Sequence, residues 1–145
     1  MKSNPKPFSQ QLFDECDPQS RRVVLKYFND NFVAMEENPD KYGVDLISRS
    51  GFNVEIERRI VWKNGKFPFE TVNIPERKAK FFKDGDTSYA IVSEDYNWIG
   101  LCSPANVERC LTDGNLSENR NKFVGSGEYF YKIPANYFAW IKLTC

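Results

Sequence analysis

Residues 54–62 read Val54-Glu55-Ile56-Glu57-Arg58-Arg59-Ile60-Val61-Trp62, and the fold turns on what this stretch becomes. Branched and aromatic side chains favour an extended strand, whose successive side chains point to opposite faces. One face then carries Val54, Ile56, Ile60 and Trp62, interrupted by Arg58. The other carries Glu55, Glu57 and Arg59, joined by Val61. The apolar face packs. The acidic face sets two carboxylates two residues apart, where like charges repel unless a cation relieves them. A merely solvated acidic face is the plain alternative, and the flanking sequence decides between the two.

Upstream, residues 42–48 read as a partner strand, separated from the first by Arg49-Ser50-Gly51-Phe52. A three-residue loop over 49–51, with Gly51 in the left-handed position, sets Ser48 opposite Phe52 and, counting back, Asp45 opposite Glu55. A two-residue turn would send Asp45 to the other face. In the three-residue register Asp45, Glu55 and Glu57 converge from adjacent strands. Their oxygens suit Mg²⁺ or Mn²⁺, and such an ion activates water and offsets charge on a phosphodiester. Glu15 or Glu36 is a candidate outer acid, although nothing in the sequence selects one.

Further out, Asp17-Pro18 is a helix start. The stripe Val24, Leu25, Phe28, Phe32 and Met35 predicts a helix of about five turns, ended by Asn38-Pro39-Asp40. On the other side, Asn64-Gly65 between Ile60-Val61-Trp62-Lys63 and Lys66-Phe67 predicts a second hairpin with a type I′ turn. Pro68 and Pro75 bracket its returning strand and place it at or near a sheet edge. A short helix follows over 75–82, stopped by Asp84-Gly85-Asp86, and then a buried-type strand over 88–93. The last third reads as a strand over 98–102, a helix over 104–111 capped by Ser103, a polar loop over 112–121 and closing strands over 128–133 and 138–143.

At 145 residues the chain is expected to be a single domain, with a core over about 18–93 and decoration over about 94–145. There is no histidine. That excludes Ser-His and Cys-His triads and histidine-ligated zinc, leaving carboxylates, Lys, Tyr, Cys or a hard metal ion. Cys16, Cys102, Cys110 and Cys145 lack zinc-ribbon spacing and read as free thiols in a reducing compartment. No apolar run approaches the roughly 20 residues that span a bilayer, and 1–10 lacks the apolar centre of a signal peptide. The expectation is a cytoplasmic protein with no membrane partner.

The net charge is zero, but its distribution is not even. Residues 58–83 hold eight bases and two acids, whereas 84–118 hold seven acids and one base. Segregation of this kind creates a local positive field that suits a nucleic-acid backbone. The aromatics Tyr129, Phe130, Tyr131, Tyr137, Phe138 and Trp140 suit stacking on bases, but packing of the terminal strands accounts for them more simply.

Taken together, an acid on one strand (Val44-Asp45-Leu46-Ile47), an acid-x-acid strand (Val54-Glu55-Ile56-Glu57) and a basic helix (Ile74-Pro75-Glu76-Arg77-Lys78) resemble the PD-(D/E)XK nuclease superfamily over about 18–93. The resemblance implies an α/β fold with a restriction-endonuclease-like core: a central mixed sheet flanked by helices, in the order helix, three strands, helix, strand, here with a C-terminal β extension. It implies a Mg²⁺- or Mn²⁺-dependent endonuclease hydrolysing DNA, with Asp45 and Glu55 as metal ligands. The third motif position, usually lysine, is Glu57 here; some restriction enzymes of the superfamily carry Glu there. In other members the lysine has moved to the neighbouring helix, a part open to Lys78 or Lys80. The candidate catalytic residues are therefore Asp45, Glu55, Glu57 and Lys78, and the candidate DNA contacts are Arg77, Lys80, Lys63, Lys66 and Arg59. Restriction-type relatives often act as homodimers, and a small stand-alone nuclease fits a phage or mobile-element setting. The rival expectation is a non-catalytic module on the same fold that binds nucleic acid or protein.

Overall fold

Helix α1, Pro18–Asn31, turns Val24 and Phe28 inward, the i, i+4 spacing of one helical face. The structure is a computed structural model that describes residues 18–63, 65–112, 116–120 and 127–143. Asp17, Glu15, Cys16 and Cys145 lie outside the described residues. The helix is shorter than its apolar stripe predicts. Phe28 O accepts both Phe32 N (2.8 Å) and Val33 N (3.1 Å), which closes the last turn. Asn29 Oδ1 takes Met35 N at 2.7 Å. Phe32 is consequently 66% exposed, while Met35 reaches the core from the segment beyond the helix.

The strands are β1 (Glu36–Glu37), β2 (Leu46–Ile47), β3 (Asn53–Arg59), β4 (Thr71–Pro75), β5 (Thr87–Ser93), β6 (Trp98–Cys102), β7 (Leu116–Arg120), β8 (Gly127–Pro134) and β9 (Phe138–Lys142). Helix α2 covers Pro104–Thr112, and a 3₁₀ helix covers Glu76–Phe82. Among the described residues six strands form one sheet in the order β1-β2-β3-β5-β6-β9, and three form a second in the order β4-β8-β7. In the larger sheet β3 and β5 run parallel and the other neighbours antiparallel. The fold is thus α/β with a mixed central sheet. Parallel neighbours need a long crossover; here β4 and the 3₁₀ helix provide it.

The expected second hairpin does not form. Both edges of β3 are already taken, by β2 and by β5, so the returning strand has no place beside it. Gly65 has the positive φ (63°) that the turn signal asks for, but β3 ends at Arg59 in a turn closed by Trp62 N to Arg59 O (3.1 Å). Ile60 and Val61 are left 62% and 56% exposed. Trp62 folds back to donate its indole N–H to Gly65 O at 2.7 Å. The third strand of the expected core, β4, joins the second sheet instead. There it is an edge strand, as its bracketing prolines predict.

The larger sheet is covered on both faces. Val24 and Phe28 of α1 pack on Leu46, Val54, Ile56 and Val92. The opposite face meets Val72, Ile74, Phe82, Val107 and Ile133, with Trp62, Tyr89 and Ile91 among them. Strand β5 is buried at every position, as a parallel-paired strand covered on both faces must be. Residues beyond 93 extend the sheet with β6 and β9 and supply Val107, Ile133 and Phe138 to the second core. The expected polar loop at 112–121 contains β7, paired with β8. Ser103 caps α2 as expected, its Oγ accepting Asn106 N at 3.2 Å. Trp140 stacks on Phe67 and Phe138 at 4.9 and 5.3 Å between centroids, so these aromatics pack on one another. Cys102 and Cys110 are buried and form no disulfide. Among the described residues no helix is long and apolar enough to cross a membrane.

Candidate active site

The β2–β3 register pairs Leu46 with Val54 and Ile47 with Asn53. One step further back, Asp45 stands opposite Glu55, the placement the three-residue loop predicts. Gly51 takes φ 91°, its N–H reaches Ser48 O at 3.2 Å, and Ser48 Oγ donates to Phe52 O at 2.8 Å. The Asp45 carboxylate then accepts the Ile56 backbone N–H on Oδ2 at 2.8 Å, which ties it to the middle of β3.

Glu55 and Glu57 share the face of β3 that looks toward the 3₁₀ helix. From that helix Lys78 reaches down between them, its Nζ 3.1 Å from Glu55 Oε2 and 3.9 Å from Glu57 Oε1. The side chains of Lys78 and Glu55 are only 11% and 7% exposed. Glu57 has further partners. Tyr89, which pairs with Glu55 across the parallel β3–β5 ladder, donates its hydroxyl to Glu57 Oε1 at 2.6 Å. Arg59 Nη2 lies 3.5 Å from the same oxygen, donates to Tyr89 Oη at 2.7 Å and hydrogen-bonds the Asn73 carbonyl on β4. Glu55 differs: its Oε1 is buried and accepts no hydrogen bond from the described residues.

The two carboxylates therefore titrate in opposite directions. Burial, reinforced by the neighbouring Asp45, pushes Glu55 up to about 8 despite the opposing pull of Lys78. Asp45 is raised as well, because its burial outweighs the Ile56 N–H, Lys78 and Arg21. Burial would also raise Glu57, but Arg59, Lys78, the Tyr89 hydroxyl and Arg77 together hold it below the ordinary range. Burial would lower Lys78, but Glu57 and Glu55 raise it and keep the ammonium charged. The Asp45 and Glu55 carboxyls are close enough to share a proton. Two adjacent carboxyls held away from bulk solvent require such a proton or a cation.

Asp45, Glu55, Glu57 and Lys78 are thus brought together. The other candidates are dispersed. Arg77 is exposed one residue from Lys78 and acts on Glu57 through its charge. Lys80 is exposed, with its ammonium 5.3 Å from the Phe81 ring centroid. Lys63 pairs with Glu94 at 3.3 Å beyond the end of β3, and Lys66 is exposed. Arg59 is committed inward, to Glu57, Tyr89 and Asn73. Glu36 is exposed on β1 and pairs in register with Ile47. Tyr89 escaped the sequence reading. It sits in an apolar strand, and only the β3–β5 register reveals what its hydroxyl meets. Two surface hollows, of about 280 and 240 Å³, lie elsewhere, beside Met35 and Ile47 and beside Phe82 and Glu108.

Among the described residues no group of three or more acidic or cysteine side chains is arranged to hold a metal ion alone. The pair Asp45 and Glu55 is nevertheless a hard-oxygen set of the size Mg²⁺ uses, since that ion keeps several waters and one or two carboxylates. No protein-family model matches the chain, and no curated protein matches it in sequence.

Proposed function

We propose that the chain is a divalent-metal-dependent endonuclease that hydrolyses DNA phosphodiester bonds at the Asp45–Glu55–Glu57–Lys78 cluster, as its resemblance to PD-(D/E)XK nucleases implies. The observation that carries the reading is the Asp45–Glu55 pair, Asp45 half-buried and Glu55 buried, with a Glu55 oxygen that accepts no hydrogen bond from the described residues. Asp45 and Glu55 are the residues that would hold Mg²⁺ or Mn²⁺. A bound ion supplies Lewis-acid stabilisation of charge on the phosphate and acidifies a water. The lowered pKa of Glu57 makes it a weak base, so its part is to hold Lys78 in place and orient water. The Lys78 ammonium offsets charge on a phosphate oxygen. Arg77 and Lys80, exposed on the same 3₁₀ helix, with Lys63 and Lys66, are the proposed contacts to neighbouring phosphates. Arg59 braces Glu57 from inside.

The internal pairing of Glu57 with Tyr89, Arg59 and Lys78 favours a second reading. The same ion network would serve a non-catalytic binding module by pinning the 3₁₀ helix to β3. Incubation with plasmid, branched and single-stranded DNA in Mg²⁺, Mn²⁺ or EDTA separates the two. The endonuclease reading predicts cleavage only with metal, lowered at least about 100-fold in Glu55→Ala, the scale of losing a metal ligand or a transition-state contact. DNA binding with a steep salt dependence and no cleavage in any metal would leave the binding module.

A further inference from the structure

Glu55 and Glu57 are neutralised in different ways. Glu57 accepts the Tyr89 hydroxyl at 2.6 Å and lies 3.5 Å from Arg59. Arg59 is itself fixed to Tyr89 and to the Asn73 carbonyl. That carboxylate has a built seat whether or not Lys78 is present. Glu55 has no comparable seat. Apart from the Asp45 carboxyl beside it, its Oε2 leans on Lys78 at 3.1 Å, and its Oε1 accepts no hydrogen bond from the described residues. Lys78 sits closer to the weakly held carboxylate than to the strongly held one, 3.1 against 3.9 Å. Its long side chain needs only a small shift to favour the other.

A divalent ion drawn to Asp45 and Glu55 would meet an ammonium already there, and the two cations repel at such range. The geometry points to Lys78 as a tethered counter-cation of the acid pair: a divalent ion must displace its ammonium from Glu55, and Glu57 receives it. The inference rests on the metal-site reading above and adds how that site is regulated. Cation affinity is set by an exchange, not by an open cage. Glu57 is then a positioning residue, acting on the site through Lys78. Tyr89 and Arg59 act one step further back, keeping Glu57 in place to accept the ammonium.

Calorimetric titration of the full chain with Mn²⁺ tests this independently of any cleavage. Lys78→Met is expected to bind Mn²⁺ at least about tenfold more tightly than wild type, because the competing charge is gone. Glu57→Gln is expected to weaken binding by about tenfold, since the ammonium then has no alternative carboxylate. In the Lys78→Met background that Glu57→Gln effect should shrink to about threefold or less. Wild-type binding that Glu55→Gln abolishes but Lys78→Met leaves unchanged or weaker would overturn the exchange and leave the metal site standing. No Mn²⁺ bound by wild type or by Lys78→Met would overturn both. A Lys78→Met chain that is unfolded in EDTA and folds on addition of Mn²⁺ supports the exchange. If it is unfolded in both conditions, the same titration of Lys78→Gln decides, tighter binding supporting the exchange and unchanged binding overturning it.

Discussion

At the scale of single residues, the opposite titration of Glu55 and Glu57 gives the metal-free chain a distinctive pH dependence. Burial and Asp45 raise the Glu55 carboxyl from 4.5 to about 8. Its contribution to stability is therefore fully present below pH 4.5 and lost as pH rises through about 8. Glu57, held low against its burial by Arg59, Lys78 and Tyr89, works the other way, stabilising above 4.5 and losing that contribution as pH falls through its lowered value. Urea melts in EDTA should accordingly show stability falling between about pH 5 and about pH 9, by on the order of a few kcal/mol. Glu55→Gln should flatten that fall; an equal fall in both proteins would show that Glu55 is not its source. The carboxylates themselves were legible because strand alternation puts positions 55 and 57 on one face whatever the rest of the chain does. Tyr89 and the inward commitment of Arg59 were not. Both depend on which strand lies beside β3, a long-range pairing that local spacing does not encode.

At the scale of elements, the loop between β2 and β3 decides whether a site exists at all. The Asp45–Glu55 pairing follows from Gly51 at φ 91°, a conformation that costs other residues about 1 kcal/mol or more. A Cβ placed there would touch nothing within 4 Å, so the penalty in Gly51→Ala is purely one of backbone. Chemical denaturation should show about 1–2 kcal/mol of lost stability. The same substitution should also weaken Mn²⁺ binding, because it loosens the register that seats Asp45; a stability loss with unchanged Mn²⁺ affinity would separate the loop from the site. This loop was readable because its glycine has a local cause. The hairpin expected at 64–65 had an equally good local signal, a positive φ at Gly65 included, and was overridden. Strand β5 occupies the edge the returning strand would have needed. The end of α1 was likewise set by hydrogen bonds that Phe28 O and Asn29 Oδ1 accept, which the apolar stripe running on to Met35 does not reveal.

At the scale of the whole molecule, β3 divides its labour between two cores. Its Val54 and Ile56 face α1, while Glu55 and Glu57 face the 3₁₀ helix beside the second core. An acidic strand face thereby becomes an interior cluster with a lysine set over it, and burial gives the cluster its shifted pKa values. The α/β character and the mixed sheet were legible from the alternation of elements. The split into two sheets was not, since it depends on β4 pairing with β8, which lies more than fifty residues further along the chain. The basic run over 58–83 falls partly on this same face, through Arg77, Lys78 and Lys80, and partly beyond the end of β3, through Lys63.

The most direct test is calorimetric titration of the full chain with Mn²⁺ at about neutral pH, wild type beside Glu55→Gln. Wild type is expected to show one saturable site, with protons released as the ion replaces the proton on the raised Asp45–Glu55 pair, and Glu55→Gln no site. Binding of equal strength in both proteins, or in neither, would contradict it.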